Sequence, residues 1–301
     1  MRALVTGAAG FVGRHMMTGL GHRGWDVLGV DLRDGPCPVG ALTRMDAREI
    51  FNGRFLPKTR FDLVVHCAYH VGGRAAIDGE PRMLARNLEL DASLFRWATQ
   101  TGQERVVYYS SSAAYPVAYQ QFDDWKRLAE NDIDLQNAQQ PDARYGWAKL
   151  TGEHLAEAAK LLGLRVHTIR PFSGYGADQD LAYPFPAILA RVRSGDMTVW
   201  GPRGQCRDWI HIDDVVGCSI AAVEKDVFDP INACSGVGVE MGDLAIRMAR
   251  ITGGIEPKDP FYRIDKPTGV MVRIGDPTKM RTIYTPQISI EDGIKRALGE
   301  L

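Results

Sequence analysis

Tyr145 and Lys149 stand four residues apart in a stretch, 144–163, whose apolar residues recur at helical spacing. On a helix that separation puts both side chains on one face. An ammonium beside a phenol favours the phenolate and lowers the phenol's pKa. The product is a base for an alcohol or sugar hydroxyl near neutral pH. Ser111 is the third candidate. It follows the run Arg105-Val106-Val107-Tyr108-Tyr109-Ser110 and would hydrogen-bond the same substrate oxygen. These three residue types suit a redox step at a hydroxyl-bearing carbon, which needs a hydride carrier from outside the chain. Lys149 can also hold the ribose next to a nicotinamide.

A site for that carrier opens the chain. Arg2-Ala3-Leu4-Val5-Thr6 reads as a buried strand, and Thr6-Gly7-Ala8-Ala9-Gly10-Phe11-Val12-Gly13 as the turn and helix start that follow it. Gly7 permits a tight exit from the strand, Gly10 lets backbone approach a pyrophosphate, and Gly13 lets the helix lie close to the sheet. The amides at Phe11 and Val12 and the positive end of the helix dipole would face the phosphates. A ribose-binding acid is expected about twenty residues on. Asp31 ends the second strand, Trp25–Asp31, at that distance. It would repel a 2′-phosphate, so NAD is expected over NADP, although Arg33 could pair with such a phosphate. Asp46 either reaches the adenine amine or caps a short helix over Ala47–Phe51.

The elements that must position these residues alternate. Strands are expected at 2–6, 25–31, 61–68, 105–110 and 165–170, with a weak one before Asp46. Residues 32–43, with Gly35, Pro36, Pro38 and Gly40, read as loop. Helices are expected at 11–21, 82–101 (closed by Gly102) and 144–163. This alternation is that of an α/β protein with a Rossmann-type, doubly wound parallel sheet. Ligands in such sheets sit beyond the carboxyl ends of the strands, hence just after Ala68, Ser110 and Arg170. After Pro171 the pattern changes, and Pro184, Pro186 and Pro202 read as breakers. A helix at 213–225, a strand at 230–234 and helices at 241–252 (closed by Gly253-Gly254) and 289–298 follow. The expected division is a dinucleotide-binding domain over 1–170, with 209–240 returning to the sheet, and a smaller C-terminal substrate domain over 171–301.

Composition narrows the class. The 301 residues carry a net charge of −1 with a pI near 6.7. That balance argues against a nucleic-acid or membrane-surface binder. No run approaches a membrane span. Cys37, Cys67, Cys206, Cys218 and Cys234 form no C-x-x-C pair, which reads as reduced thiols and a cytoplasmic protein. No signal-peptide layout is read at the N-terminus, and no metal site is expected.

These motifs, together with Val64-Val65-His66-Cys67-Ala68, Asn87, Ser110-Ser111-Ser112, Arg170-Pro171-Phe172-Ser173-Gly174-Tyr175-Gly176 and Arg207-Asp208-Trp209-Ile210-His211-Ile212-Asp213-Asp214, resemble the extended short-chain dehydrogenase/reductases of the nucleotide-sugar epimerase, dehydratase and reductase group. The resemblance runs nearly end to end. It implies that Arg207 contacts a substrate diphosphate, a role guanidinium suits. Val71-Gly72-Gly73, Tyr115-Pro116 and Lys266–Arg273 look most like GDP-mannose epimerases and GDP-fucose synthases. They imply Gly73, Lys266 and Arg273 as substrate contacts, with Ser112 and Ser173 as further ones.

The departures bear on mechanism. Dehydratases of the group carry an Asp-Glu pair where this chain has Ser112 and Ala113. Epimerases acting at carbons 3 and 5 carry a cysteine at the position of Ala113 and a lysine or histidine in the stretch around Tyr183–Pro186. The usual asparagine of the F-N-x-Y-G motif is Ser173. What remains is a redox core of Ser111, Tyr145 and Lys149. The expected function is an NAD-dependent nucleotide-sugar epimerase passing through a 4-keto intermediate. The alternatives are a keto-sugar reductase or dehydrogenase and, from another class, a dinucleotide-binding sensor. A nucleotide sugar is the expected partner. His70, Tyr115, Tyr119, Asp178, Gln179 and Tyr183 are candidates to line its pocket. The resemblance also implies a homodimer through 82–101 and 144–163.

Overall fold

The protein is described by a computed structural model that covers every residue except 37–38, 56–58, 254–255 and 300–301. Cys37, Pro38 and Gly254, invoked above, lie outside the described residues. In chain order the first half runs β1 (Arg2–Thr6), α1 (Phe11–Gly21), β2 (Asp26–Asp31), β3 (Ala41–Arg44), α2 (Ala47–Phe51), β4 (Leu63–His66), α3 (Arg74–Gly79), α4 (Met83–Thr101), β5 (Arg105–Tyr109), α5 (Ala143–Leu161) and β6 (Arg165–Pro171). The second half runs β7 (Ser173–Tyr175), α6 (Pro184–Arg193), β8 (Thr198–Trp200), β9 (Cys206–His211), α7 (Ile212–Glu224), β10 (Ile231–Ala233), β11 (Gly238–Glu240), α8 (Met241–Thr252), β12 (Phe261–Arg263), β13 (Val272–Arg273), α9 (Thr278–Arg281) and α10 (Ile290–Leu298).

Seven strands form one parallel sheet in the order β10-β6-β5-β4-β1-β2-β3. The reversal of order between β1 and β4 opens a crevice at their carboxyl ends, where such sheets bind ligands. The central strands are apolar throughout because helices cover both faces. Met16, Met17 and Leu20 of α1 and Val215, Val216 and Ile220 of α7 fill one face. Leu90, Leu94 and Phe95 of α4 and Ala156 and Ala159 of α5 fill the other. The architecture is therefore the Rossmann-type α/β sheet.

Three local expectations need correction. Residues 41–43 are not loop: they pair with β2 as the edge strand β3. The strand is half-exposed, and only Leu42 joins the core, so it has little period-two signal. Pro184 and Pro186 do not break the chain but open α6, where a proline's missing N–H costs nothing. Within 209–240, α7 and β10 lie against the large sheet, but Trp209–His211 and Gly238–Glu240 belong to a second one. That smaller sheet runs β11-β9-β13, with β7 also on β9, and β8 pairs with β12. It packs with α6, α8 and α10 around Phe185, Ile188, Trp209, Leu244, Met248 and Ile294. Among the described residues no helix is long and apolar enough to cross a membrane.

Candidate active site

A cleft of about 770 Å³ lies over the carboxyl ends of β1, β2, β4 and β5. Its floor is the glycine turn. Gly7 has φ +67°, and a Cβ there would meet the backbone of Cys67 and Ala68. A glycine is thus required by conformation and by space. Gly13 is equally confined, because its Cβ would run into the carbonyl of Gly7. α1 starts at Gly10 without a side-chain cap. Among the described residues the amides of Phe11, Val12 and Gly13 find no acceptor, so they are left for an anion. Asp31 is nearly buried and accepts from the amides of Ala9 (3.0 Å) and Arg33 (2.9 Å). That hydrogen bonding aims its carboxylate at the cleft, with Arg33 Nε 3.6 Å away. Asp46 takes the capping role: it caps α2 through the amide of Arg48 (2.9 Å), and it also lines the cleft. Arg48 forks onto it, at 2.6 Å at the closest, and holds its carboxyl below the usual range. Free amides for a pyrophosphate, an acid at ribose distance along the fold and a cleft of this size fit an NAD.

Ser111, Tyr145 and Lys149 all line the same cleft, as does Ala68. Ser111 follows β5 and caps a short turn, its Oγ accepting from Ala113 N at 3.1 Å. α5 lies directly on that turn, because a Cβ at Gly146 would strike the carbonyl of Ala113. This close approach sets the start of α5, with Tyr145, on the turn that carries Ser111, and both side chains line the cleft. The residue that starts α5, Ala143, sits at φ +57°, a left-handed conformation that costs a non-glycine residue energy.

The electrostatics differ from the simple expectation. Burial pushes the Tyr145 phenol above its ordinary value. Tyr183 and Asp91 add to the rise, while the Ser111 side chain and the charge of Arg273 oppose it. Lys149 Nζ donates to the carbonyl of Tyr109 at 2.6 Å. It lies 3.2 Å from the centroid of the Tyr69 ring but 5.9 Å from that of Tyr145. Burial also pushes the Lys149 ammonium down to about 8, against the pull of Asp91, Cys67 and Glu153.

The substrate contacts implied by resemblance divide into groups. Arg207 and Arg273 are register partners on β9 and β13. Arg207 is buried and, among the described residues, donates only to the carbonyls of Cys206, Thr268, Val270 and Met271. Burial, with Arg273 nearby, pushes it down to about 9. Such a guanidinium favours an arriving anion. Arg273 donates to Asp142 at 2.8 Å, and Arg74 donates to the same carboxylate at 2.7 Å. Arg74 was not anticipated. It reads in the sequence as a charge in a loop, and only the fold carries it 68 residues across to Asp142. Lys266 is not with these arginines. It stands half-exposed, 5.6 Å from the centroid of the Trp200 ring. Gly73 is buried where the loop after β4 meets the carbonyl of Ala182. Ser112 is buried in the turn under Tyr145, and Ser173 starts β7 beside Trp209.

Of the other candidates, His70, Asp178, Gln179 and Tyr183 line the cleft. Tyr115 does not. It is fully buried, donating to Asn232 Oδ1 at 2.6 Å and accepting from Arg170 at 3.1 Å. Tyr119 is turned to Lys126, whose Nζ lies 4.0 Å from its ring centroid. Asn87 clamps the loop after β4, taking the His70 amide at 2.8 Å and giving to its carbonyl at 2.9 Å.

Comparison with known proteins names this arrangement. Residues 3–234 match the model of the NAD dependent epimerase/dehydratase family. The chain belongs to that family. Among curated members it is 28% identical to a dTDP-4-dehydro-6-deoxy-D-allose reductase of a Streptomyces species, over 94% of this chain and 91% of the relative. It is 25% identical to the GDP-L-fucose synthase of Escherichia coli, over 97% and 94%. Among solved structures, the UDP-glucose 4-epimerase of Thermotoga maritima with UDP-glucose superposes with a TM-score of 0.87 at 25% identity, covering 100% of this chain and 98% of that one. The protein is thus an NAD-dependent enzyme of the extended short-chain dehydrogenase/reductase kind, within a family of nucleotide-sugar epimerases, dehydratases and reductases.

Proposed function

We propose that this family member is a nucleotide-sugar epimerase working at carbon 4 through a transient 4-keto sugar. The observation that carries the reading is the composition of the turn under Tyr145. Ser111 lines the cleft with Tyr145, and the next side chains, Ser112 and Ala113, are buried and offer no carboxylic acid or thiol. With neither an acid nor a thiol at 112 and 113, the set Ser111, Tyr145 and Lys149 supports oxidation and reduction at a single carbon. It gives no support to expelling water or to inverting a neighbouring carbon.

In this mechanism Ser111 holds the sugar's 4-hydroxyl by hydrogen bonding, and Tyr145 Oη takes its proton. When bound, NAD supplies a two-electron acceptor and donor at carbon 4. Tyr145 returns the proton to the 4-keto oxygen after the ring has turned over. Gly7, Gly10, Gly13 and the amides of Phe11 and Val12 would hold the pyrophosphate, Asp31 the adenosine ribose, and Lys149 the second ribose. Arg207 and Arg273 would take the substrate's diphosphate, with Arg74 and Asp142 fixing Arg273 in place. The chain acts as a homodimer in this reading, paired through α4 and α5. Light scattering on the purified protein tests that part.

A specific observation favours a second reading. Two of the curated relatives are named as a keto-sugar reductase and a fucose synthase. With the same three residues, a cofactor that leaves after each turnover makes a keto-sugar reductase. The deciding experiment is to denature the purified protein and analyse the released nucleotide. Stoichiometric NAD, with turnover of a UDP-, GDP- or dTDP-hexose and no added cofactor, is the epimerase result. Turnover that consumes NADH or NADPH mole for mole rejects it.

A further inference from the structure

Tyr69 is the residue just beyond Ala68, where β4 runs out into the cleft. Its ring face covers the Lys149 ammonium at 3.2 Å, and its edge meets the Tyr145 ring at 5.9 Å and 84°. It therefore touches both members of the catalytic pair. Lys149 needs such a neighbour. An ammonium has three N–H donors. One goes to the Tyr109 carbonyl, and among the described residues no carboxylate lies within ion-pair distance of it. The remaining faces are aromatic: Tyr69 first, then Tyr108 at 5.3 Å and Tyr145 at 5.9 Å. A buried cation surrounded by ring faces is stabilised by their quadrupoles more strongly than a solvated one.

Tyr69 is itself anchored. Its hydroxyl points at Asp91 Oδ2 at 3.4 Å, and Tyr108 Oη donates to the same oxygen at 2.9 Å. Asp91 is fully buried on α4, and its other oxygen faces His66 Nε2 at 3.3 Å. His66 Nδ1 in turn meets Thr6 Oγ1 at 2.8 Å, at the start of the glycine turn. A polar chain thus runs from the turn of β1, through β4 and α4, to the two rings that flank Lys149.

We propose that Tyr69, fixed by Asp91, is a positioning residue that holds the Lys149 ammonium charged and aimed into the cleft. It rests on the reading of Lys149 as part of the redox site. The groups facing Lys149 are Asp91 from α4, Glu153 one turn along α5, Cys67 at the end of β4 and the phenols Tyr69, Tyr108 and Tyr145. Only Tyr69 both contacts the ammonium closely and can be altered without removing a charge.

The test reads the lysine directly. The protein is labelled with ¹³C-lysine, the Lys149 ε-carbon is assigned by its loss in Lys149→Arg, and its shift is followed against pH. In Tyr69→Leu the titration of Lys149 should move down by about one pH unit or more. Tyr69→Phe, which keeps the ring, should restore most of that. A series of increasingly fluorinated phenylalanines at position 69 keeps shape and packing while draining the ring face. There the titration should fall stepwise with fluorine number, even if the leucine variant does not fold. A Lys149 titration that ignores fluorination, or that is the same in the leucine and native proteins, overturns the proposal. This readout needs no turnover. An enzyme that turns over no nucleotide sugar yet shows the stepwise shift loses the functional reading and keeps this one.

Discussion

Asp178 meets the His15 imidazole at 3.0 Å, joining the loop after β7 to the helix that carries the glycine turn. Arg14, beside His15 on α1, donates to the same carboxylate at 2.6 Å. The contact spans the mouth of the cofactor cleft, whose lining includes Arg14 and Asp178. Burial works against a charge on His15. Asp178 and Asp213 overcome it and raise the imidazolium to about 9. His15 and Arg14, against the opposing effect of burial, hold the Asp178 carboxyl well below its usual range.

The sign follows from those directions. His15 contributes fully below its ordinary value near 6.5, and the contribution is lost as pH rises through about 9. Asp178 contributes above an ordinary carboxylate value and loses its part only in strong acid. NAD release, measured by stopped-flow displacement, should therefore be slow from about pH 5 to 8 and quicken above 9. Asp178→Asn should speed it roughly three- to tenfold at neutral pH, the scale of partly exposed ion pairs. High salt should do the same.

Tyr145→Phe removes the phenol proposed to carry the proton. Turnover should fall by about two to four orders of magnitude, the usual worth of a positioned proton carrier. Bound NAD, measured on the denatured protein, should be unchanged, because the glycine turn and Asp31 are not altered. A variant that keeps full activity would place the proton transfer elsewhere.

Turnover in heavy water tests the redox-only mechanism. Proton exchange at carbon 3 or 5 needs a donor aimed at that carbon, and Ala113 supplies none. Product examined by NMR should carry no deuterium on ring carbons. Deuterium at carbon 3 or 5 would point to a second acid/base, with Tyr183 and His70 the cleft residues to examine first.

The fold carries a buried ion pair whose loss should be costly. Arg170 forks onto Glu153 at 2.6 and 2.9 Å, with both side chains almost inaccessible. Glu153→Leu leaves the guanidinium without its partner and should cost about 3–5 kcal/mol in denaturant unfolding. Adding Arg170→Met should recover much of that loss, since the unpaired charge is then gone.

The parts of this site legible in the sequence are those set by local rules. A glycine turn announces itself because Gly7 must adopt a positive φ and Gly13 has no room for a side chain. Tyr145 and Lys149 share a face because helices have a fixed period. Asp31 is readable because a strand ends there. The less legible parts depend on the chain's return to itself. Arg74 gains meaning only beside Asp142, and Tyr69 only beside Lys149, eighty residues away. Tyr115 follows the site's serines yet packs inward, because Arg170 and Asn232 give its hydroxyl buried partners. Lys266 sits in a basic stretch, but the turn there points it to Trp200. The immediate surroundings of Lys149 are likewise non-local: its ammonium faces the Tyr69 ring and the Tyr109 carbonyl, which spacing along α5 does not reveal.

The seventh strand of the large sheet, β10, comes from residues 231–233, while its neighbour β6 ends at 171. Much of the smaller half is threaded between them. During synthesis, β6 therefore emerges with its outer backbone edge bare and must wait for a long stretch of chain before it is sealed. A bare parallel edge is an invitation to another molecule. A fragment cut after residue 171 would hold the whole glycine turn and all three redox side chains, and still be a self-adhesive protein.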